Sequence, residues 1–246
     1  MPLKSLIRRF MHKFGYDIVS ISKDRDAYVR CYPYTYATYA PWFCDEFLQL
    51  YADIAAFTAV KEDRCYLLRQ LAAQCLPLEG VYAECGVFKG GSAFLIAHTI
   101  QGTGKQLELY DTFEGMPAEA KNDASRHRVG EFGNTSLDAV KAYLDKFEAT
   151  QFFPDRIPET FDTEQNKRYC FVHVDVDLYQ SVHDCCHYFY PRLVPGGVII
   201  FDDYGFLRYR DAAKRAVDEF FSDKPDVLVS FHTGQCMVMK SPGPPS

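Results

Sequence analysis

The hydrophobic period of the chain changes near residue 80. Up to about residue 75, apolar residues recur at helical spacing or in aromatic-rich loops. From about 80 to 222, short apolar runs alternate with helical stretches, the pattern of parallel βαβ units. Strands are predicted at Val81–Cys85, Gln106–Tyr110, Thr150–Phe153, Cys170–Val176 and Val198–Phe201. Helices are predicted at Gly91–Thr99, Leu137–Phe147, Ser181–Leu193 and Tyr209–Phe221. Two further runs, VLVSF and CMVMK, flank HTGQ, whose Thr233-Gly234 pair is turn chemistry, so they read as a hairpin closing the sheet edge. The expected organisation is an N-terminal helical and aromatic segment (1–75), an α/β domain (76–240) and a flexible tail (241–246).

At the N-terminus, Leu3, Leu6, Ile7, Phe10, Met11 and Phe14 form an apolar stripe, and Lys4, Arg8, Arg9 and Lys13 fill the other face. The segment has no continuous apolar core, so it is not a signal peptide. A basic amphipathic helix of this kind packs its stripe on the domain, on a second subunit or on an anionic membrane. Further on, Tyr28, Tyr32, Tyr34, Tyr36, Tyr39, Trp42 and Phe43 supply faces that stack on sugar rings or flat acceptors, as a lid would. The other reading of this zone is loop packing or a homodimer contact.

Composition narrows the function classes. A chain of 246 residues with 48% hydrophobic and 24% charged residues is long enough for one large domain with a substantial core. A net charge of -6 argues against a nucleic-acid binder, which needs a basic face. Nine scattered cysteines without a CxxC pair read as reduced thiols, hence a cytoplasmic protein. No apolar run approaches the ~20 residues that span a bilayer.

In open α/β sheets the ligand lies beyond the carboxyl ends of the strands, so the residues after each strand carry the chemistry. After the first strand, AECGVFKGGS places Glu84 at a strand end. Gly86 and Gly90 follow in the turn, and Ser92 sits at a helix N-terminus, where free N–H groups meet a ligand. After the second strand, Asp111 stands where an acid accepts hydrogen bonds from ribose hydroxyls. Together these favour an adenosine-bearing cofactor, and Glu84 suits an ammonium group better than a pyrophosphate. Asp175 and Asp177 follow the fourth strand, and Asp202 and Asp203 the fifth. Helix capping explains one or two of these acids, but four ionised carboxylates at one sheet edge need a cation, and Mg²⁺ is the usual choice. His183 and His187 have metal-ligand spacing without a third ligand and read as a solvated helix face. His173 reads as a core histidine.

AECGVFKGGS, DTFEGMP, HVDVDLYQS and YPRLVPGGVIIFDDYG together resemble, in order and spacing, the macrocin O-methyltransferase family, from about Thr58 to Lys240. The resemblance implies a class I methyltransferase fold: a Rossmann-like three-layer sandwich with a mostly parallel seven-stranded sheet and a C-terminal antiparallel hairpin. It implies S-adenosylmethionine and Mg²⁺ as cofactors, and a hydroxyl of a sugar or secondary metabolite as methyl acceptor. It assigns Asp175, Asp202 and Asp203 to the metal, and Glu84, Gly86, Gly90, Ser92 and Asp111 to the cofactor loop and ribose site. Asp177 is left as the general base. The run Gln151-Phe152-Phe153-Pro154 departs from the family's usual Gly-aromatic-Phe and bears on the adenine side. The rival readings are a metal-dependent glycosyltransferase using the DxD, a non-catalytic S-adenosylmethionine-binding protein, and a two-metal phosphoesterase.

Overall fold

The computed structural model describes residues 7, 10, 11, 13, 14, 42, 44–118, 123–161 and 166–242. Residues 1–40 form one unit and residues 41–246 another. In the first, Ile7, Phe10 and Met11 are helical, and the rings of Phe10 and Phe14 meet edge-on at 5.2 Å. The remainder of the N-terminal stripe, and the aromatic zone Tyr28 to Tyr39 with Phe43, lie outside the described residues. No helix of the described residues is long and apolar enough to cross a membrane.

The second unit opens with helices α1 (Asp45–Ile54) and α2 (Glu62–Gln74), followed by β1 (Val81–Cys85) and α3 (Gly91–Ile100). Then come β2 (Leu107–Asp111), α4 (Leu137–Leu144), β3 (Thr150–Pro154), β4 (Tyr169–Val174) and α5 (Tyr179–Phe189). The chain ends with β5 (Leu193–Phe201), α6 (Arg215–Phe221), β6 (Leu228–Ser230) and β7 (Cys236–Met239). The seven strands run in the order β3-β2-β1-β4-β5-β7-β6. The first five are parallel, and β7 is antiparallel to both β5 and β6. The predicted parallel sheet and closing hairpin are therefore both present.

Helices cover both faces of the sheet, which is why every residue of β4 is buried and its sequence YCFVHV shows no polar alternation. On one face Tyr82, Leu109 and Phe171 pack with α1, α2 and α3; on the other Ala83, Val172 and Ile199 pack with α5 and α6. Helices α1 and α2 thus belong to the core of the α/β unit, although they fall within the segment expected to end at residue 75.

Several boundaries moved. Helix α5 stops at Phe189 because Pro191 brings no N–H to continue it, and β5 begins at Leu193 rather than Val198. The helix predicted at Tyr209–Phe221 is broken: Leu207–Tyr209 is a 3-10 turn, Arg210–Lys214 a π turn with non-helical backbone at Ala212, and only α6 is regular. Helix α4 ends at Leu144, short of Phe147.

Candidate active site

The strand order reverses between β1 and β4, and both continue into loops that border a cavity of about 690 Å³. Gly86, Ser92, Asp111, Asp175, Asp177 and Asp203 all line it. Its position beyond the strands' carboxyl ends and its volume are those of a small-molecule site.

Backbone pairing brings the acids together. β4 and β5 run in register, Val174 opposite Phe201. Past them the Asp202 N–H donates to Val174 O at 2.9 Å, and the Asp175 N–H to Cys85 O at 2.8 Å. One carboxylate oxygen from each of Asp175, Asp202 and Asp203 then lies within 4.8 Å of the others. The three are not equally compensated. Asp202 is fully buried; its Oδ1 accepts from Gln235 Nε2 at 2.8 Å, and its Oδ2 is ion-paired with the Arg64 guanidinium from α2. Asp203 makes no ion pair among the described residues, and its carboxyl is pushed well above the usual range, first by burial and then by Asp175 and Asp177, with Arg64 opposing the shift. Asp175 is also pushed up, by burial first; His173 and Arg64 oppose the shift while Asp177 and Glu84 add to it. Three converging carboxylates that repel one another fit a hard divalent cation.

Asp177 sits in the left-handed backbone region, φ 58°, which turns the chain back toward the cavity before α5. It lies beside Asp203 and accepts a hydrogen bond from His127, whose Nε2 also meets the Tyr209 hydroxyl at 3.1 Å. Tyr209 is raised by burial first and by Asp177 and Asp203 next, so its hydroxyl keeps its proton.

The glycine turn serves partly the fold and partly the cavity. Gly86, φ 87°, comes so close to β4 that an added Cβ would lie 1.9 Å from Asp175 O. Gly90, φ 88°, caps α3 and abuts Val140, away from the cavity lining. Asp111 lines the cavity, but its two oxygens already accept from the N–H groups of Val87 (2.6 Å), Phe88 (2.9 Å) and Phe113 (2.7 Å). A carboxylate offers about four lone pairs, so roughly one is left for a ligand.

Glu84 shares the face of Tyr82, lies in register with His173 across β4, and accepts from His173 Nδ1 at 2.8 Å. It is fully buried and is not among the cavity-lining residues; Oε1 serves His173, while Oε2 has no hydrogen-bond partner. His183 and His187 pair with each other, Nε2 to Nε2 at 3.2 Å, and His187 packs on Phe220. The acid trio is the only group of three or more such ligands among the described residues that could hold a metal ion.

Four side chains of this site escaped the sequence reading: Arg64, His127, Tyr209 and Gln235. The signal for His127 was the length of its loop. The stretch between β2 and α4 is long for a compact domain, and such loops commonly carry function.

A model of the macrocin-O-methyltransferase family (TylF) matches residues 52–225. The chain belongs to that family. A family relative, the 8-demethyl-8-(2,3-dimethoxy-alpha-L-rhamnosyl)-tetracenomycin-C 4'-O-methyltransferase of Streptomyces olivaceus, is 29% identical over 160 residues, 60% of this chain and 60% of its own. The chain thus spans about 60% of the length of that curated relative. The O-methyltransferase NovP superposes with a TM-score of 0.68 at 23% identity, over 76% of this chain and 83% of its own. An O-methyltransferase from Bacillus cereus, solved with SAH, gives a TM-score of 0.51 at 16% identity, over 79% and 89% of the two chains. These superpositions establish a class I methyltransferase fold.

Proposed function

We propose that this member of the macrocin-O-methyltransferase family moves the methyl group of S-adenosylmethionine to a hydroxyl of a sugar or other secondary metabolite, assisted by a divalent cation, with Mg²⁺ the natural choice. The observation that carries the reading is the convergence of Asp175, Asp202 and Asp203 past the ends of β4 and β5, where Asp175, Asp203 and Asp177 line the cavity that Gly86, Ser92 and Asp111 also line.

Gly86, Ser92 and Asp111 would hold the donor, whose bound sulfonium supplies an electrophilic methyl group. Asp175, Asp202 and Asp203 would hold the cation, which lowers the pKa of a hydroxyl and fixes its oxygen. Asp177 takes the proton from the acceptor hydroxyl as the oxygen bonds to the methyl carbon and the carbon–sulfur pair returns to sulfur. Arg64 and Gln235 hold the Asp202 carboxylate in place. The cavity walls align the two reactants, which supplies much of the remaining acceleration.

Calorimetric titration with S-adenosylhomocysteine, with and without Mg²⁺, tests the donor site, and saturable binding is the expected result. Turnover is then assayed by mass spectrometry with the rhamnosyl-tetracenomycin acceptor named for the Streptomyces olivaceus relative, beside a panel of deoxysugar glycosides. EDTA is expected to abolish methyl transfer. Binding of UDP with Mn²⁺, and none of S-adenosylhomocysteine, would replace this reading by the glycosyltransferase one.

A further inference from the structure

A base is useful only if its carboxylate is aimed, and Asp177 sits on a left-handed turn, where the backbone alone does little to aim it. The support comes from another part of the chain. His127 belongs to the long loop between β2 and α4, yet its side chain is fully buried. Its Nε2 lies 3.1 Å from Asp177 Oδ1 and 3.1 Å from the Tyr209 hydroxyl. Its ring also stacks on the Tyr209 ring at 5.7 Å and 18°. One imidazole therefore joins three elements: its own loop, the turn after β4 and the segment after β5.

A carboxylate faces each ring nitrogen, an arrangement that suits the imidazolium, the form in which both nitrogens donate. Nδ1 lies 3.0 Å from Glu131 Oε2. Glu131 is held below its ordinary range, chiefly by the backbone N–H of Arg128, so it is an ionised acceptor and Nδ1 carries a proton toward it. The Arg208 Nη2 also lies 3.1 Å from Nδ1, and the same guanidinium donates from Nε to Ser125 O at 2.8 Å and from Nη2 to Arg126 O at 3.4 Å. Opposite the Asp177 carboxylate, Nε2 is the donor. Burial disfavours the imidazolium, but Asp177 and Glu131 together outweigh it and hold His127 above its usual value.

We propose that His127 is a positioning residue for Asp177, its Nε2–H fixing the carboxylate that faces the acceptor hydroxyl. This rests on the methyltransferase reading above. It also ties seating of the loop to readiness of the base, because Asp177 is aimed only when the loop carries the imidazole into place. Tyr209 shares the task from the segment after β5.

The test compares wild type with His127→Leu, His127→Gln and Tyr209→Phe, each in the presence of donor and Mg²⁺. Glutamine places an N–H close to the Nε2 position; leucine places none. The expected result is a kcat loss of at least tenfold for His127→Leu, most of it recovered by His127→Gln. Tyr209→Phe is expected to lose a few-fold, and acceptor KM and S-adenosylhomocysteine affinity to stay within twofold throughout. Equal kcat in leucine and glutamine variants, or losses confined to KM and affinity, would overturn the proposal. Histidine-selective ¹⁵N NMR of the wild type and Asp177→Asn, both with S-adenosylhomocysteine, covers a leucine variant that does not fold. The His127 Nε2 resonance is expected to move when the carboxylate is removed, and an unmoved resonance overturns the contact. A wild type that turns over no acceptor counts against the methyltransferase reading, and the NMR pair then decides the positioning claim alone.

Discussion

His173 Nδ1 donates to Glu84 Oε1 at 2.8 Å, joining β4 to β1 inside a core where both side chains are fully buried. The acid that looked like a ligand for the cofactor is thus part of the sheet's interior, while Asp111, one strand away, lines the cavity. Opposite consequences follow for the two. Glu84→Ala strands a buried histidine, so the melting temperature is expected to drop sharply, consistent with the ~3–5 kcal/mol typical of breaking a buried pair. S-adenosylhomocysteine affinity of the protein that remains folded should stay within about threefold. Asp111→Asn turns an amide NH₂ against backbone N–H donors of the glycine loop. There the fall is expected in affinity, about tenfold, with a cost of ~1 kcal/mol in stability. Calorimetry and thermal melting on both variants separate the two outcomes.

Gly86 is irreplaceable on two counts. Its φ of 87° costs an L-residue about 1–2 kcal/mol, and a Cβ there would collide with Asp175 O. Gly86→Ala should cost more than 2 kcal/mol in urea unfolding and should abolish donor binding, since the collision moves the first acid of the trio. Gly90→Ala meets a side chain that can yield, so its loss should come from backbone strain alone.

The acid trio gives a prediction whose sign differs from intuition. Asp203 is raised well above its ordinary value, so its folded pKa exceeds its unfolded one. The stability linked to it is present at low pH and lost as pH rises through the folded value. Metal-free protein at neutral pH therefore carries a penalty, and Asp203→Asn should raise its melting temperature by a few degrees. Added Mg²⁺ should stabilise the wild type and leave the variant unmoved. Differential scanning calorimetry with and without Mg²⁺ reads both.

Asp177→Asn keeps the shape of the base and removes its proton affinity. Turnover should fall about 10²–10⁴-fold, the range of general base catalysis, while S-adenosylhomocysteine binding persists. Full turnover in this variant would remove Asp177 from the mechanism.

His127 is held above its ordinary value, so its contribution to stability is fully present below the unfolded pKa of about 6.5 and fades as pH rises through the folded value. The difference in melting temperature between wild type and His127→Gln should be larger at pH 5.5 than at pH 8.5.

The sheet and the acid trio were legible because both follow from strand ends. Apolar runs such as YCFVHV mark buried parallel strands, and residues just past neighbouring strands must lie together. The pairing of Glu84 was not legible, because strand-end position does not tell which face a side chain takes. Its register partner is His173, and the cavity wall resumes only at Gly86. Arg64, His127 and Gln235 reach the site from a helix, a long loop and the closing hairpin. No local pattern announces such contacts; they exist only once the sheet has been assembled.

The ion pair between Arg64 and Asp202 has a consequence for where this molecule can be divided. A piece starting at residue 76 would retain all seven strands and every acid past their ends. It would also leave Asp202 inside the protein with its cation gone, because that cation rides on α2. The smallest self-sufficient piece is therefore set by electroneutrality as much as by the extent of the sheet, and it has to begin upstream of α2.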